Sequence, residues 1–199
     1  MRKWLPVSSE PHISRRDLLR GRFGRGADAV SPDRTSSLAS SARPLPVLHR
    51  PPGAVEEAAF LRECTRCDAC VEACPVHAIV RAGTRFREAA GTPVIDASTQ
   101  PCVMCKDAPC ITVCIPRVLR AELPRRMGTA RIQIESCLAH TRTTCTVCSE
   151  RCPVEGAITV ERGRPTIHAE HCTGCGVCLS VCPAPQNGVL LLPTLARSA

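Results

Sequence analysis

Apolar residues in this chain fall in short pieces of three or four positions, interrupted by cysteines, prolines and charge. Five pieces read as strands or halves of hairpins: Ala78-Ile79-Val80, Pro93-Val94-Ile95, Arg131-Ile132-Gln133-Ile134, Ala157-Ile158-Thr159-Val160 and Pro165-Thr166-Ile167. Residues 54–63 predict a short helix leading into the first cysteine. Further upstream, Ser14 can cap a short helix, with Asp17 three residues later and Leu18 and Leu19 as its apolar stripe. Residues 31–41 carry no periodicity and read as disordered. Arg50-Pro51-Pro52-Gly53 punctuates the chain. The expected organisation is therefore a mostly disordered arm over residues 1–50 and a folded region over residues 51–199. No window reaches about 18 consecutive apolar residues, so no transmembrane helix is predicted.

Composition says what must hold such short elements together. The 199 residues include sixteen cysteines and 18 prolines, but only one tryptophan, three phenylalanines and no tyrosine. Aromatic side chains normally dominate core burial, so cross-links or metal ligands have to substitute for them. The cysteines form four runs of four with none left over. The first is Cys64-x2-Cys67-x2-Cys70-x3-Cys74-Pro75 and the second Cys102-x2-Cys105-x4-Cys110-x3-Cys114. The third is Cys137-x7-Cys145-x2-Cys148-x3-Cys152-Pro153 and the fourth Cys172-x2-Cys175-x2-Cys178-x3-Cys182-Pro183. Gaps of 27, 22 and 19 residues separate them. The repeating unit is a cysteine loop, a short helical turn, and a strand or hairpin.

A cubane [4Fe–4S] cluster needs four thiolates around a compact body. Cys-x2-Cys-x2-Cys wraps a loop over three corners, and in two-cluster ferredoxins the fourth cysteine serves the neighbouring cluster. That fourth cysteine is expected to start the short helix, with the next proline stopping the turn. Runs one and four carry this spacing unmodified. Run two has two extra residues and places Ile115 before Pro116, while run three has a long polar first gap containing His140. A disulfide scaffold would call for a secretory signal and a short chain. Zinc sites prefer well-separated cysteine pairs. Sixteen ordered free thiols make no chemical sense. All sixteen cysteines are accordingly assigned to the iron of four [4Fe–4S] clusters. No phosphate-binding glycine loop, nucleophile elbow or haem attachment motif is present, so the chain reads as an electron carrier or accessory protein, not an enzyme.

The cluster assignment changes the charge picture. Residues 1–50 hold ten Arg/Lys and four Asp/Glu, a net of +6, and residues 51–199 hold sixteen and fourteen, a net of +2. Each oxidised cluster with its thiolates carries about −2, so the folded region becomes about −6 once four are bound. That removes most of the case for nucleic-acid binding. Arg62, Arg66 and Arg151 stand beside the cysteines and either offset cluster charge, raising the potential, or are solvated surface residues. His140 is read as a loop residue in preference to a ligand.

These motifs resemble the NapF/NapG/MauM type of ferredoxin-type protein, found with periplasmic nitrate reductase and methylamine-utilisation systems. Arg50-Pro51-Pro52-Gly53-Ala54, Gly91-Thr92-Pro93, Pro101-Cys102-Val103-Met104-Cys105-Lys106-Asp107-Ala108-Pro109-Cys110 and Arg126-Met127-Gly128 are similar to the NapG/MauM branch. Cys64-Thr65-Arg66-Cys67-Asp68-Ala69-Cys70, Cys137-Leu138-Ala139-His140 and Ser14-Arg15-Arg16-Asp17-Leu18-Leu19-Arg20-Gly21 look like NapF. The resemblance implies four [4Fe–4S] clusters and an α+β fold of two bacterial-ferredoxin-like dicluster units, built from short helices and β-hairpins. It implies a redox protein partner, a molybdenum-containing reductase catalytic subunit. The NapF branch is cytoplasmic and supports maturation of that reductase; the NapG branch is exported and relays electrons from a quinol-oxidising membrane partner. Arg15-Arg16 resembles a twin-arginine signal. Such signals need an apolar stretch of about 7–15 residues, whereas Leu18-Leu19 is followed by Arg20-Gly21-Arg22-Phe23-Gly24-Arg25-Gly26. The expectation is a cytoplasmic protein, with Arg15, Arg16, Leu18 and Leu19 docking a partner and twin-arginine export to the periplasm as the alternative. Pairing of the runs stays open. Gap length favours neighbours, whereas four-cluster subunits of molybdenum enzymes suggest nesting, first with fourth and second with third.

Overall fold

The computed structural model describes residues 48–141 and 143–194. The expected arm, with Arg15, Arg16, Leu18 and Leu19, lies outside the described residues apart from its last three positions. The described chain is two halves of one plan. In the first, helix α1 (Glu57–Glu63) precedes the one-turn helix α2 (Ala69–Glu72). The hairpin β1 (Ile79–Arg81) and β2 (Pro93–Ile95) follows, its strands joined through a 3-10 segment (Thr84–Ala89), and then helix α3 (Pro109–Thr112). The second half runs β3 (Gly128–Ile132), helix α4 (Val147–Glu150), hairpin β4 (Ile158–Glu161) and β5 (Arg164–Ile167), helix α5 (Val177–Ser180) and β6 (Val189–Pro193). The three sheets are two-stranded and antiparallel: β1 with β2, β4 with β5, and β3 with β6.

In each half the chain entering the first cysteine run pairs with the chain leaving the second. The second half does this with five residue pairs, from Gly128 opposite Pro193 to Ile132 opposite Val189. The first half does it with a single bridge, Ala54 to Leu119. That bridge shortens the expected helix over residues 54–63. Ala54 is held in the bridge, and Glu56 becomes the N-cap, its carboxylate accepting from the Ala58 and Ala59 N–H groups.

Packing is uneven. The first half buries Phe60, which has no exposed surface, with Val118 and Leu119. Arg50 is fully buried beside it: its guanidinium lies 4.3 Å from the Phe60 ring centroid, pairs with Glu57 (Nε–Oε2 3.0 Å) and donates to the Thr92 hydroxyl and Pro93 carbonyl. The second half has a smaller cluster of Ala130, Val189 and the cysteines Cys148 and Cys178. Cysteines are thus core residues in both halves.

Candidate iron–sulfur sites

The four runs share one helical turn. In each, the third cysteine is the second residue of a one-turn helix and is buried: Cys70, Cys110, Cys148 and Cys178. The fourth cysteine, expected to start the helix, instead lies just beyond its C-cap. The turn between them separates the third thiol from the fourth, so that Cys70 and Cys74 line different enclosed spaces. The loop before the helix needs left-handed backbone. Arg66, Met104 and Gly174, each preceding the second cysteine of its run, have φ of 57°, 55° and 69°, as do the helix N-caps Asp68, Ala108 and Gly176 at 63°, 43° and 87°. At Gly174 a Cβ would sit 2.4 Å from the Gly128 backbone, so only glycine allows β3 to approach run four. Run three lacks this loop, and Thr146, its N-cap, has φ −126°.

Neighbouring runs interlock. Cys64, Cys67 and Cys70 enclose one space together with Cys114. Cys102, Cys105 and Cys110 enclose another with Cys74. Runs three and four repeat the exchange: Cys172, Cys175 and Cys178 face Cys152. Cys148 adjoins Cys137 and Cys145. Gly188 brings Cys182 to that group: its N–H donates to Cys182 Sγ (3.3 Å), and it packs against the Cys137 backbone. The pairing is first with second and third with fourth, so the nested alternative is not the one adopted. The two halves meet where Cys102 N–H donates to the Cys175 carbonyl at 3.1 Å, next to Gly176, at which a Cβ would strike Ala97.

These donor sets suit a cluster. Burial pushes the Cys70 and Cys178 thiols up to about 12, with neighbouring cysteines adding to it. It pushes Cys102 and Cys110 to about 11. Four crowded, desolvated thiols ionise together only against compensating positive charge. Among the described residues no three Cys, His, Asp or Glu stand close enough to hold a single metal ion, so the sets fit a larger body than the tetrahedral zinc alternative. Backbone donors are in place to stabilise thiolates: Ala78 N–H to Cys74 Sγ (3.3 Å) and Ala130 N–H to Cys172 Sγ (3.4 Å).

The flanking residues divide. Arg66 donates to the carbonyls of Glu88 and Ala90 (2.9 and 3.1 Å), and its backbone N–H and charge oppose the burial that raises Cys64. Arg62 pairs with Glu63 on the surface, and Arg151 is an exposed C-cap. The His140 ring lies 3.4 Å from the Pro165 carbonyl. Sequence reasoning missed Arg125, whose guanidinium donates to the Cys105 carbonyl (3.0 Å) and the Lys106 carbonyl, pinning the longer loop of run two. No spacing rule marks it, because the contact spans twenty residues.

The sequence of the chain matches known iron–sulfur proteins. Residues 63–118, which hold runs one and two, match the 4Fe-4S dicluster domain, and residues 163–184 match a 4Fe-4S binding domain. The chain is 38% identical to the ferredoxin-type protein NapG of Escherichia coli over 94% of its own length and 88% of that protein. It is 39% identical to the methylamine utilization ferredoxin-type protein MauM of Methylorubrum extorquens over 72% of each, and 28% identical to the ferredoxin-type protein NapF of Escherichia coli over 85% of its length and 90% of that protein. With its dicluster domain and its kinship along most of the chain, this protein belongs to the NapG, MauM and NapF family of ferredoxin-type iron–sulfur electron-transfer proteins.

Proposed function

We propose that the chain holds four [4Fe–4S] clusters and passes single electrons to a molybdenum-containing reductase, without a substrate site of its own. The ligand sets are Cys64, Cys67, Cys70 and Cys114; Cys74, Cys102, Cys105 and Cys110; Cys137, Cys145, Cys148 and Cys182; and Cys152, Cys172, Cys175 and Cys178. The clusters would supply the one-electron chemistry. The protein orders the thiols, buries half of them and aims backbone N–H groups at sulfur. The observation that carries the reading is the bond between Cys102 and the Cys175 carbonyl. It sets a member of the second set against a member of the fourth, so the two halves form one conductor instead of two separate stores. Anaerobic reconstitution should give about sixteen iron and sixteen sulfide per chain, with reversible bleaching in a redox titration. Saturation at half that iron defeats the four-cluster reading, and clusters that do not cycle reversibly would be structural, making the chain a binding module.

The compartment we favour is the cytoplasm, because Arg15-Arg16 is followed by a basic, glycine-rich stretch in place of an apolar one. There the protein would support electron supply to the reductase or its maturation. A second reading is an exported quinol-to-reductase relay of NapG/MauM type, favoured by the higher identity to NapG and MauM than to NapF. Fractionating cells with an antibody to the C-terminal residues separates them: cytoplasmic material with unprocessed length is expected, and a periplasmic pool overturns that placement.

A further inference from the structure

Runs one to four account for all the cysteines, but they leave a groove of about 900 Å³ between the β3–β6 ribbon and β5. Its apolar lining includes Ile134, 59% exposed, and Leu192. Its charged lining is Arg126 and Arg131, both exposed, and no Asp or Glu is among its lining residues. Arg126 donates to the Ala169 carbonyl and so braces one wall while its charge stays at the surface. Arg131 stands on β3 opposite Leu190 with its side chain in solvent. Two residues, Ala130 and Ile167, line both this groove and the space enclosed by Cys152, Cys172, Cys175 and Cys178. The floor of the groove is therefore the roof of the fourth cysteine set, with Ala130 N–H reaching Cys172 Sγ.

We propose that this groove is the docking site for an extended segment of the redox partner in which acidic and apolar side chains alternate. Apolar surface in a trough takes a segment, since large exposed apolar patches mark interaction sites. Two arginines without a carboxylate select the sign of its charge and guide the encounter. Residues 1–47 of this chain do not suit it, because their nine Arg/Lys against four Asp/Glu give a net of +5, the same sign as these arginines. The proposal rests on the electron-transfer reading: a partner seated here stands one side-chain layer from the fourth set, which makes the groove a port for electrons.

The test uses the anaerobically reconstituted full chain. Its probe is a dye-labelled ten-residue peptide alternating Glu with Leu or Val, followed by fluorescence anisotropy. Control peptides replace Glu by Lys, or the apolar residues by Ser. Binding of the acidic apolar peptide alone is expected. Arg131→Glu should weaken it about tenfold and Ile134→Ser about fivefold, while Arg117→Glu, on the first half and paired with Glu122, should leave it unchanged. Hydrogen exchange should slow in residues 129–134 and 165–169 when peptide is added. Equal binding of the Ser control, or equal loss in Arg131→Glu and Arg117→Glu, overturns the proposal, since either result means unspecific charge attraction. Phosphatidylglycerol vesicles that retain wild type but not Arg131→Glu, with no peptide bound, overturn it in favour of a membrane surface. Iron content and reversible bleaching are read on the same samples. Their loss would sink the electron-transfer reading, whereas intact redox behaviour without peptide binding sinks the groove alone.

Discussion

The two halves of this protein repeat one plan and stabilise it differently. The first closes its ends with one bridge, Ala54 to Leu119, but packs them over Phe60 and the buried Arg50–Glu57 pair. The second closes its ends with the five pairs of β3 and β6, yet buries little beyond small residues and thiols. Backbone pairing and side-chain burial thus substitute for one another. Where neither a large side chain nor an aromatic is present, the bound cofactor must contribute the rest, because ligation free energy is folding free energy.

Removing iron should break the comparison most visibly. Structural metals supply on the order of 10 kcal/mol of folding energy per site. After anaerobic chelation, amide protection should vanish from β3 and β6 but persist in α1 and β2, as read by hydrogen exchange. Equal loss in both halves would mean that the core around Phe60 does not stand alone. Next in size is Cys145→Ala, which should remove about four iron per chain. The ligands of its set are spaced by a long polar sequence over residues 139–144, which admits solvent near the cluster, so this cluster should be among the first lost in air, beside the set that holds the exposed Cys67. Simultaneous loss of all four in an iron time course would show that the halves are coupled. Phe60→Ala should cost about 3–5 kcal/mol, seen as a lowered denaturation midpoint of the first half with the iron of the second retained.

The smallest effect expected is that of pH on the iron-free protein. Burial holds Cys70 and Cys178 at about 12, above the ordinary thiol value of 9.0. The folded state thus favours the neutral thiol. Its contribution is complete below about pH 9, where the unfolded chain also keeps its protons, and is lost as pH rises towards 12. Denaturant midpoints of the apo first half should fall between pH 8 and pH 10. Iron restores the opposite preference, because binding expels those protons. A midpoint that does not move would place these thiols in water.

Much of this architecture is legible in the sequence, for local reasons. Pro93–Ile95 is a strand as its residues suggest, and the other four pieces are strands displaced by a residue or a few. The exchange of fourth cysteines follows from a fixed spacing within each run. What stayed hidden depends on distant partners. Val189–Pro193 is a strand because β3 lies beside it, sixty residues away in the chain, and nothing in its own apolar run distinguishes strand from helix. The choice between neighbouring and nested runs was open for the same reason. It is decided by contacts such as Gly188 against Cys137, which join segments whose own residues carry no spacing rule. Arg50 reads as a basic residue at the end of an arm and becomes the centre of a core only when Phe60 and Glu57 close around it.

The one-turn helices carry a consequence for biogenesis. Each sends its third cysteine to one set and, a turn later, its fourth to the other, so on the proposed ligand sets no set draws on one run alone. Cys64, Cys67 and Cys70 leave the ribosome as an open three-thiol cradle, and the thiol that closes it, Cys114, is synthesised only as the last cysteine of the second run. The same holds for Cys137, Cys145 and Cys148, which wait for Cys182. Cluster delivery is therefore tied to the end of each half, and a chain interrupted between the runs of a half carries cradles that cannot shut.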